Sequence, residues 1–271
     1  MTHEDTLRIV EQHWDREVKA GCGYTVPALE LTRELIEDYI AGRRDELPGI
    51  GDSMDPRHLL AGVEGRDVLC LASGGGQQSA VFGLLGANVT VLDLCEGQLR
   101  GDRAAADHHG YELRTVKGDA CDLSPFPNAA FDLVYQAPGI GWIADVRVVY
   151  RGVHRVLRQG GRYRVALANP AVHLAEWDGI GYRITDRYKG GPVLKNAAGV
   201  ENMSEGEFTG DHRHLLQDSV GGLIDAGFIL RYFAEDSVHF KEPITGEPGS
   251  WTHLQYFLGW GINVVAEKPA A

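Results

Sequence analysis

Apolar residues along this chain fall into two alternating patterns. Short, mostly apolar runs bounded by glycine or polar clusters recur at Val68 to Leu71, Val89 to Leu92, Leu113 to Lys117, Phe131 to Tyr135 and Arg162 to Ala168. Runs of that length suit strands buried on both faces. Between them the spacing turns helical. Val81, Phe82, Leu84 and Leu85 form a stripe that Gly86 closes, a further helix ends at His108 and His109, and Val146, Val149, Tyr150, Val153, Val156 and Leu157 keep register from Asp145 to Leu157. Glycine just past a stripe is a stop, because a residue without Cβ enters the left-handed conformation without steric cost. Strands alternating with helices predict an α/β fold, a mostly parallel sheet with helices on both faces.

The flanks differ from this core. Residues 4–19 carry Leu7, Val10, Trp14 and Val18 on one helical stripe, and a second helix after Pro27 carries Leu31, Leu35, Ile36, Tyr39 and Ile40. Asp55 and Pro56 read as the N-cap and first-turn proline of a short helix through Leu60. From 169 to 210 the periodicity fails, while aromatic residues and glycines scatter. A segment of that length without regular structure is usually functional or disordered, and its aromatic content argues against disorder. Helical spacing returns from His214 to Ala226, closed by Gly227, and two strand-like runs follow at Phe228 to Ala234 and Leu254 to Val265. The stretch between those runs is short for a helical crossover, so they should pair antiparallel. The expected organisation is a single domain with a helical cap at 1–62, a cofactor-binding core at 63–168, a lid insertion at 169–210 and a C-terminal helix and strands at 211–271. With 271 residues, 44% of them hydrophobic, the chain can bury the one core this requires.

Chemistry enters at residues 66–102, RDVLCLASGGGQQSAVFGLLGANVTVLDLCEGQLRGD. The first strand runs into Ala72-Ser73-Gly74-Gly75-Gly76, a helix follows, and the second strand ends in Asp93. Glycines admit a ligand to the backbone, and a carboxylate ending the second strand can accept both hydroxyls of a ribose. Asp93 lies 93 − 74 = 19 positions after Gly74, the offset this unit needs. By itself Gly74-x-Gly76-x-x-Ser79 fits NAD, FAD or S-adenosylmethionine alike.

The next segments separate those cofactors. Gly118-Asp119-Ala120 ends the third strand, and Leu123 to Pro127, Phe131 to Tyr135 and Arg155 to Gly161 follow in order. Over residues 66–168 the chain resembles the class I S-adenosylmethionine-dependent methyltransferases, in the branch that acts mostly on small molecules. LASGGG looks like that family's glycine motif, VTVLD its ribose-binding acid, GDA its adenine-contacting turn, FDLVYQA its fourth strand and HRVLRQGG the turn into its fifth. The resemblance implies a Rossmann-like seven-stranded, mostly parallel sheet with an antiparallel last strand and S-adenosyl-L-methionine as cofactor. It implies cofactor contacts from Ala72, Ser73, Gly74, Gly76, Gln78, Asp93, Leu94, Gln98, Gly118, Asp119, Ala120 and Gln136. It also places Gln136 toward the substrate and folds the N-terminal helices over the cofactor cleft. Two positions depart from the family: Cys70 stands where an acid is usual, and Ala72 where a glycine is. That acid commonly helps hold the methionine ammonium, so backbone carbonyls around Ala72 are the expected substitute.

Charge narrows the partners. A net charge of −12 argues against binding nucleic acid or an anionic membrane. No run approaches the roughly 18 apolar residues of a membrane span, and the N-terminus lacks a signal pattern, so a cytoplasmic enzyme is expected. Cys22, Cys70, Cys95 and Cys121 are far apart and show no CxxC spacing, which predicts free thiols. The histidines lack ligand spacing, so the expected chemistry is metal-independent. His212 and His214 read as the start of a helix, His239 and His253 as flanks of the last loop, and His154 as structural. Methyl transfer is an in-line displacement in which positioning dominates and a base is optional. The candidates for substrate contact or catalysis are Gln136, Tyr24 with Trp14 from the cap, and His173 with Trp177 and Tyr182 from the insertion. The expected acceptor is a small aromatic or amine-bearing metabolite with a nitrogen, oxygen or carbon nucleophile, a quinone precursor being the main rival. An NAD(P)-dependent oxidoreductase and a non-catalytic cofactor-binding relative are the alternatives.

Overall fold

The computed structural model describes residues 2–51, 54–194, 208–235 and 244–270. Helix α1, His3–Ala20, opens with a reciprocal capping box between Thr2 and Asp5 and closes on Gly21 at φ 67°. Helix α2, Arg33–Ile40, starts two residues after Leu31 because the Thr32 hydroxyl caps it, accepting from the Leu35 N–H. Asp55 and Pro56 start no α-helix. They lead only into a 3-10 turn, Arg57–Leu59, whose cap position is Pro56 itself, a residue with no side-chain acceptor for the exposed N–H groups.

The core follows as β1 (Asp67–Leu71), α3 (Gln78–Leu84), β2 (Asn88–Asp93), α4 (Glu96–His109), β3 (Leu113–Lys117), β4 (Phe131–Gln136), α5 (Val146–Val156) and β5 (Leu157–Ala168). Strand β5 begins before the expected Arg162, but its pairing with β4 jumps from Phe131–Leu157 to Leu133–Arg162, so the regular ladder starts where the alternation does. Two small hairpins come next, β6 (Ala175–Trp177) with β7 (Tyr182–Ile184), and β8 (Gly191–Leu194) with β9 (Phe208–Arg213). The chain ends with α6 (Leu216–Ser219), α7 (Gly221–Asp225), β10 (Ile229–Glu235), α8 (Trp251–Leu254) and β11 (Gly261–Glu267).

Seven strands form one sheet in the order β10-β11-β5-β4-β1-β2-β3. Strands β1 to β5 pair parallel, and β11 is antiparallel to both β5 and β10, so it alone runs against the rest. This is the Rossmann-like arrangement expected. Alternation along β1 sends Leu69 and Leu71 to one face, where α5 buries Val146, Val149, Tyr150, Val153 and Val156. Val68 and Cys70 go to the other face, beneath α2, α3 and α4. Each such buried side chain contributes on the order of 1.5–3 kcal/mol.

Three C-terminal expectations need correction. The helix expected from His214 to Ala226 divides at Val220, since Gly221 and Gly222 are weak helix formers and Gly222 packs where a Cβ would lie 3.2 Å from the Tyr150 ring. His212 accordingly belongs to β9, and His214 follows that strand. Leu254 ends α8 and packs with Val172 and Ala175, so the last strand starts only at Gly261. Residues 195–207 of the expected lid, and His239, lie outside the described residues. No described helix is long and apolar enough to cross a membrane, and all four cysteines are free thiols.

Candidate active site

The turn after β1 is built on carboxylates. Ala72 takes φ 46°, a left-handed conformation costly for a residue with a Cβ, at the position where a glycine was to be expected. The Ser73 hydroxyl donates to the Leu71 carbonyl at 2.9 Å and accepts from the Ala137 N–H at 2.9 Å, tying the turn to the end of β4. The Gly74 N–H then donates to Asp93 Oδ2 at 3.0 Å. The Gly75 and Gly76 N–H groups donate to the two oxygens of Asp102 at 3.1 and 3.0 Å, and the Ser79 hydroxyl adds a bond of 2.6 Å. Burial dominates both acids. It pushes Asp93 up to about 6 against the N–H groups of Cys95, Gly74 and Leu94, and Asp102 up to about 7 against Ser79.

These bonds bear on the choice of cofactor. A dinucleotide lays its pyrophosphate on free turn amides. Here the amides of Gly74, Gly75 and Gly76 are already committed to carboxylates, which would repel a phosphate. A nucleoside without a phosphate meets no such conflict.

Beside the turn lies a chamber of about 820 Å³. Its lining includes Ala72, Ser73, Gly74, Gln78, Asp93, Leu94, Gln98, Gly118, Asp119 and Ala120. Two features there offer a ligand hydrogen-bond acceptors. The Asp93 carboxylate, at the end of β2, lines the chamber, and the Gln98 side-chain oxygen is buried with no partner among the described residues. Helix α1 closes one side: His3 Nε2 lies 2.7 Å from Asp119 Oδ2, Lys117 Nζ 2.6 Å from Glu11, and Cys95 Sγ 3.1 Å from Asp15. Its Trp14 meets Trp142 edge to face at 5.6 Å, while His13 stacks on Trp142 at 4.4 Å.

The chamber is lined as well by Trp14, Tyr24, Tyr39, Met54, Trp142 and Trp260, with Asp45, Glu46, Asp55 and Arg57 among the polar groups. Tyr39 donates to Asp55 Oδ1 at 3.2 Å, and the Arg57 guanidinium sits 4.3 Å above the Tyr39 ring. Met54 Sδ accepts from the buried Tyr135 hydroxyl at 3.1 Å. Behind this wall Arg164 is 1% exposed and donates to the carbonyls of Asp55 and Gln136 and to Asn263.

Other expected site residues lie outside the chamber. Gln136 is fully buried, and its side-chain oxygen accepts from the Tyr163 hydroxyl within the sheet. Gly76 packs against α4, where a Cβ would approach the Gly101 carbonyl to 2.5 Å. His173 pairs with Asp211 at 3.5 Å in a separate cluster, and burial together with Arg213 pushes it down to about 4. Trp177 and Tyr182 pack around His253 on the first hairpin. His154 packs edge-on to Phe228, a structural position. Trp142, Trp260, Met54, Tyr39, Asp102 and Arg164 were not singled out from sequence. Among the described residues no group of three or more His, Cys, Asp or Glu is arranged to hold a metal ion.

Comparison with known proteins bears on this geometry. A family model described as a methyltransferase domain matches residues 69–165. A Bacillus subtilis protein described as the uncharacterized methyltransferase YbaJ is 34% identical over 239 residues, which are 84% of this chain and 89% of that one. A Mycobacterium ulcerans protein described as a probable phthiotriol/phenolphthiotriol dimycocerosates methyltransferase is 35% identical over 120 residues, 44% of this chain and 45% of its own. Among solved structures, an S-adenosylmethionine-dependent methyltransferase from Mesorhizobium loti superposes with TM-score 0.62 at 23% identity, covering 78% of this chain and 94% of that one. With the amides of its glycine turn bonded to carboxylates, and a relative matched over most of its length, the chain belongs to the class I S-adenosylmethionine-dependent methyltransferases.

Proposed function

We propose that this methyltransferase acts in the cytoplasm on a small aromatic or amine-bearing metabolite held against the aromatic side chains of the chamber. The carrying observation is the chamber itself. Its volume of about 820 Å³ falls in the upper part of the roughly 300–1,000 Å³ usual for small-molecule sites. Three tryptophans and two tyrosines in its lining suit flat rings or cationic groups.

S-adenosylmethionine supplies an electrophilic methyl group on a sulfonium, and the chain's residues bind, orient and exclude water. In this reading Asp93 holds the ribose hydroxyls, Asp119 the adenine amine, and Gly74, Ser73 and Gln98 line the amino-acid end. Helix α1 and Trp142 form the wall that keeps water out. Tyr24, which lines the chamber, is the catalytic candidate carried forward; Gln136 and His173 are left with structural parts. Asp55, steadied by Tyr39 and Arg57, stands on the acceptor side, where a carboxylate can orient an amine or hydroxyl.

A panel of phenols, amines, indoles and quinols, incubated with methyl-labelled S-adenosylmethionine and the intact chain, tests the reading. Label should pass to one of these small molecules. Transfer only to RNA or protein, with none of the panel labelled, would overturn it.

A further inference from the structure

Cys70 leaves open what orients the cofactor's amino-acid end, and α4 supplies an answer. We infer that Asp102 is a positioning residue that holds the glycine turn with its amides inward, so that the turn meets the cofactor's ammonium with carbonyl oxygens. This rests on the reading that the chamber holds S-adenosylmethionine.

The geometry is specific. Asp102 is completely buried, and its two oxygens take three donors, the Gly76 amide, the Ser79 hydroxyl and the Gly75 amide, the last shared with the Gln98 carbonyl at 3.1 Å. Helix and turn are in contact: a Cβ at Gly101 would lie 2.8 Å from the Gly75 carbonyl. In a trans peptide the C=O points opposite the N–H. The Gly74 carbonyl therefore faces away from Asp102, which binds the amide of Gly75. An ammonium has donors and no acceptor, so carbonyl oxygens match it as amides do not. The thiol of Cys70, wholly buried in β1, is pushed up by burial and by the Asp102 charge. An acid at position 70 would put a further like charge into a buried region that already holds Asp93 and Asp102. The chain thus carries its acid on α4 instead of at the end of β1.

The test compares two ligands that differ at that end. S-adenosylhomocysteine carries the amino acid, and 5′-methylthioadenosine lacks it. Wild-type affinity for S-adenosylhomocysteine, measured first, tests the cofactor reading by itself. Asp102→Asn keeps the side chain's shape but turns an amide NH₂ onto one of the backbone donors. It should weaken S-adenosylhomocysteine by about tenfold or more while 5′-methylthioadenosine changes by less than about threefold. Unchanged affinity for both, or equal loss for both, would overturn the assignment. If the variant does not fold, hydrogen exchange on the wild-type protein decides. The Gly76 amide, whose acceptor is Asp102, should be protected both without and with S-adenosylhomocysteine, its resonance little moved by it. A Gly76 amide that is unprotected in the free protein, or that shifts strongly on binding, would overturn the inference.

Discussion

Removing the Asp93 carboxylate gives the most direct reading of the cofactor site. Its Oδ2 accepts from the Gly74 N–H at 3.0 Å and its Oδ1 from the Cys95 N–H at 2.9 Å, which aims the carboxylate along the end of β2 into the chamber. A hydrogen bond to a charged group contributes about 1.5–3 kcal/mol. Asp93→Ala should therefore weaken S-adenosylhomocysteine roughly 10- to 150-fold, measured by titration calorimetry on a variant whose melting confirms a folded sheet. Asp93→Asn, which keeps the shape, should fall within the same range. Affinity within about twofold of wild type in both variants would refute the assignment.

The same carboxylate sets a pH dependence. Burial raises Asp93 to about 6 in the free protein. Ribose hydroxyls donate to the ionised form, so the cofactor favours loss of the proton. Affinity should be level well above pH 6 and fall as pH drops through about 6, by at most about tenfold per pH unit from this group. Calorimetry near pH 6 in buffers of different ionisation enthalpy should show proton release, and Asp93→Asn should lose that component. A limb near pH 7 that survives in Asp93→Asn belongs to Asp102, which burial raises to about 7. Stability runs the other way. A buried acid with a raised pKa contributes stability that is present below its unfolded value and lost as pH rises through the folded one. Because affinity falls below pH 6, the rise in Tm caused by S-adenosylhomocysteine should be larger at pH 7.5 than at pH 5.

Two further perturbations probe the turn and the cap. Gly74→Ala would place a Cβ 2.5 Å from that of Gln98 and 3.0 Å from Asp93 Oδ2, overpacking that costs about 1–3 kcal/mol; thermal melting and S-adenosylhomocysteine affinity should both fall, and an unchanged pair would contradict the packing. Deleting residues 1–23 removes His3, Trp14 and the wall that α1 provides, and should leave a folded sheet with impaired turnover; full activity would reject the cap.

How much of this was legible in the sequence follows from what one dimension records. Strands β1, β2 and β4 are buried on both faces, so their apolar runs stood out, and the spacing from Gly74 fixed Asp93. The insertion was different. Proximity in sequence to a cofactor strand says nothing about which side of that strand a loop returns on, and His173 went to Asp211 rather than to the chamber. The aromatic lining is drawn from separate segments: Trp14 and Tyr24 were expected from the cap, while Tyr39, Trp142 and Trp260, none adjacent in sequence, carry no motif that marks them. Gln136 shows a subtler limit. It ends a strand at the right height, but its side chain turns into the sheet toward Tyr163.

Asp102 was readable in principle. It occupies the inner stripe of α4 with Leu99, Ala105 and Ala106, where an acid must find donors or be lost to desolvation. A glycine turn alone does not say whether its amides face the ligand or the protein, because Gly74-x-Gly76 permits both. What decides is whether a later helix carries a carboxylate at contact distance from the turn. In this chain Gly101 makes the contact and Asp102 takes the Gly75 and Gly76 amides, so the acid on α4, with Asp93 at Gly74, sets which way the peptides of the turn face.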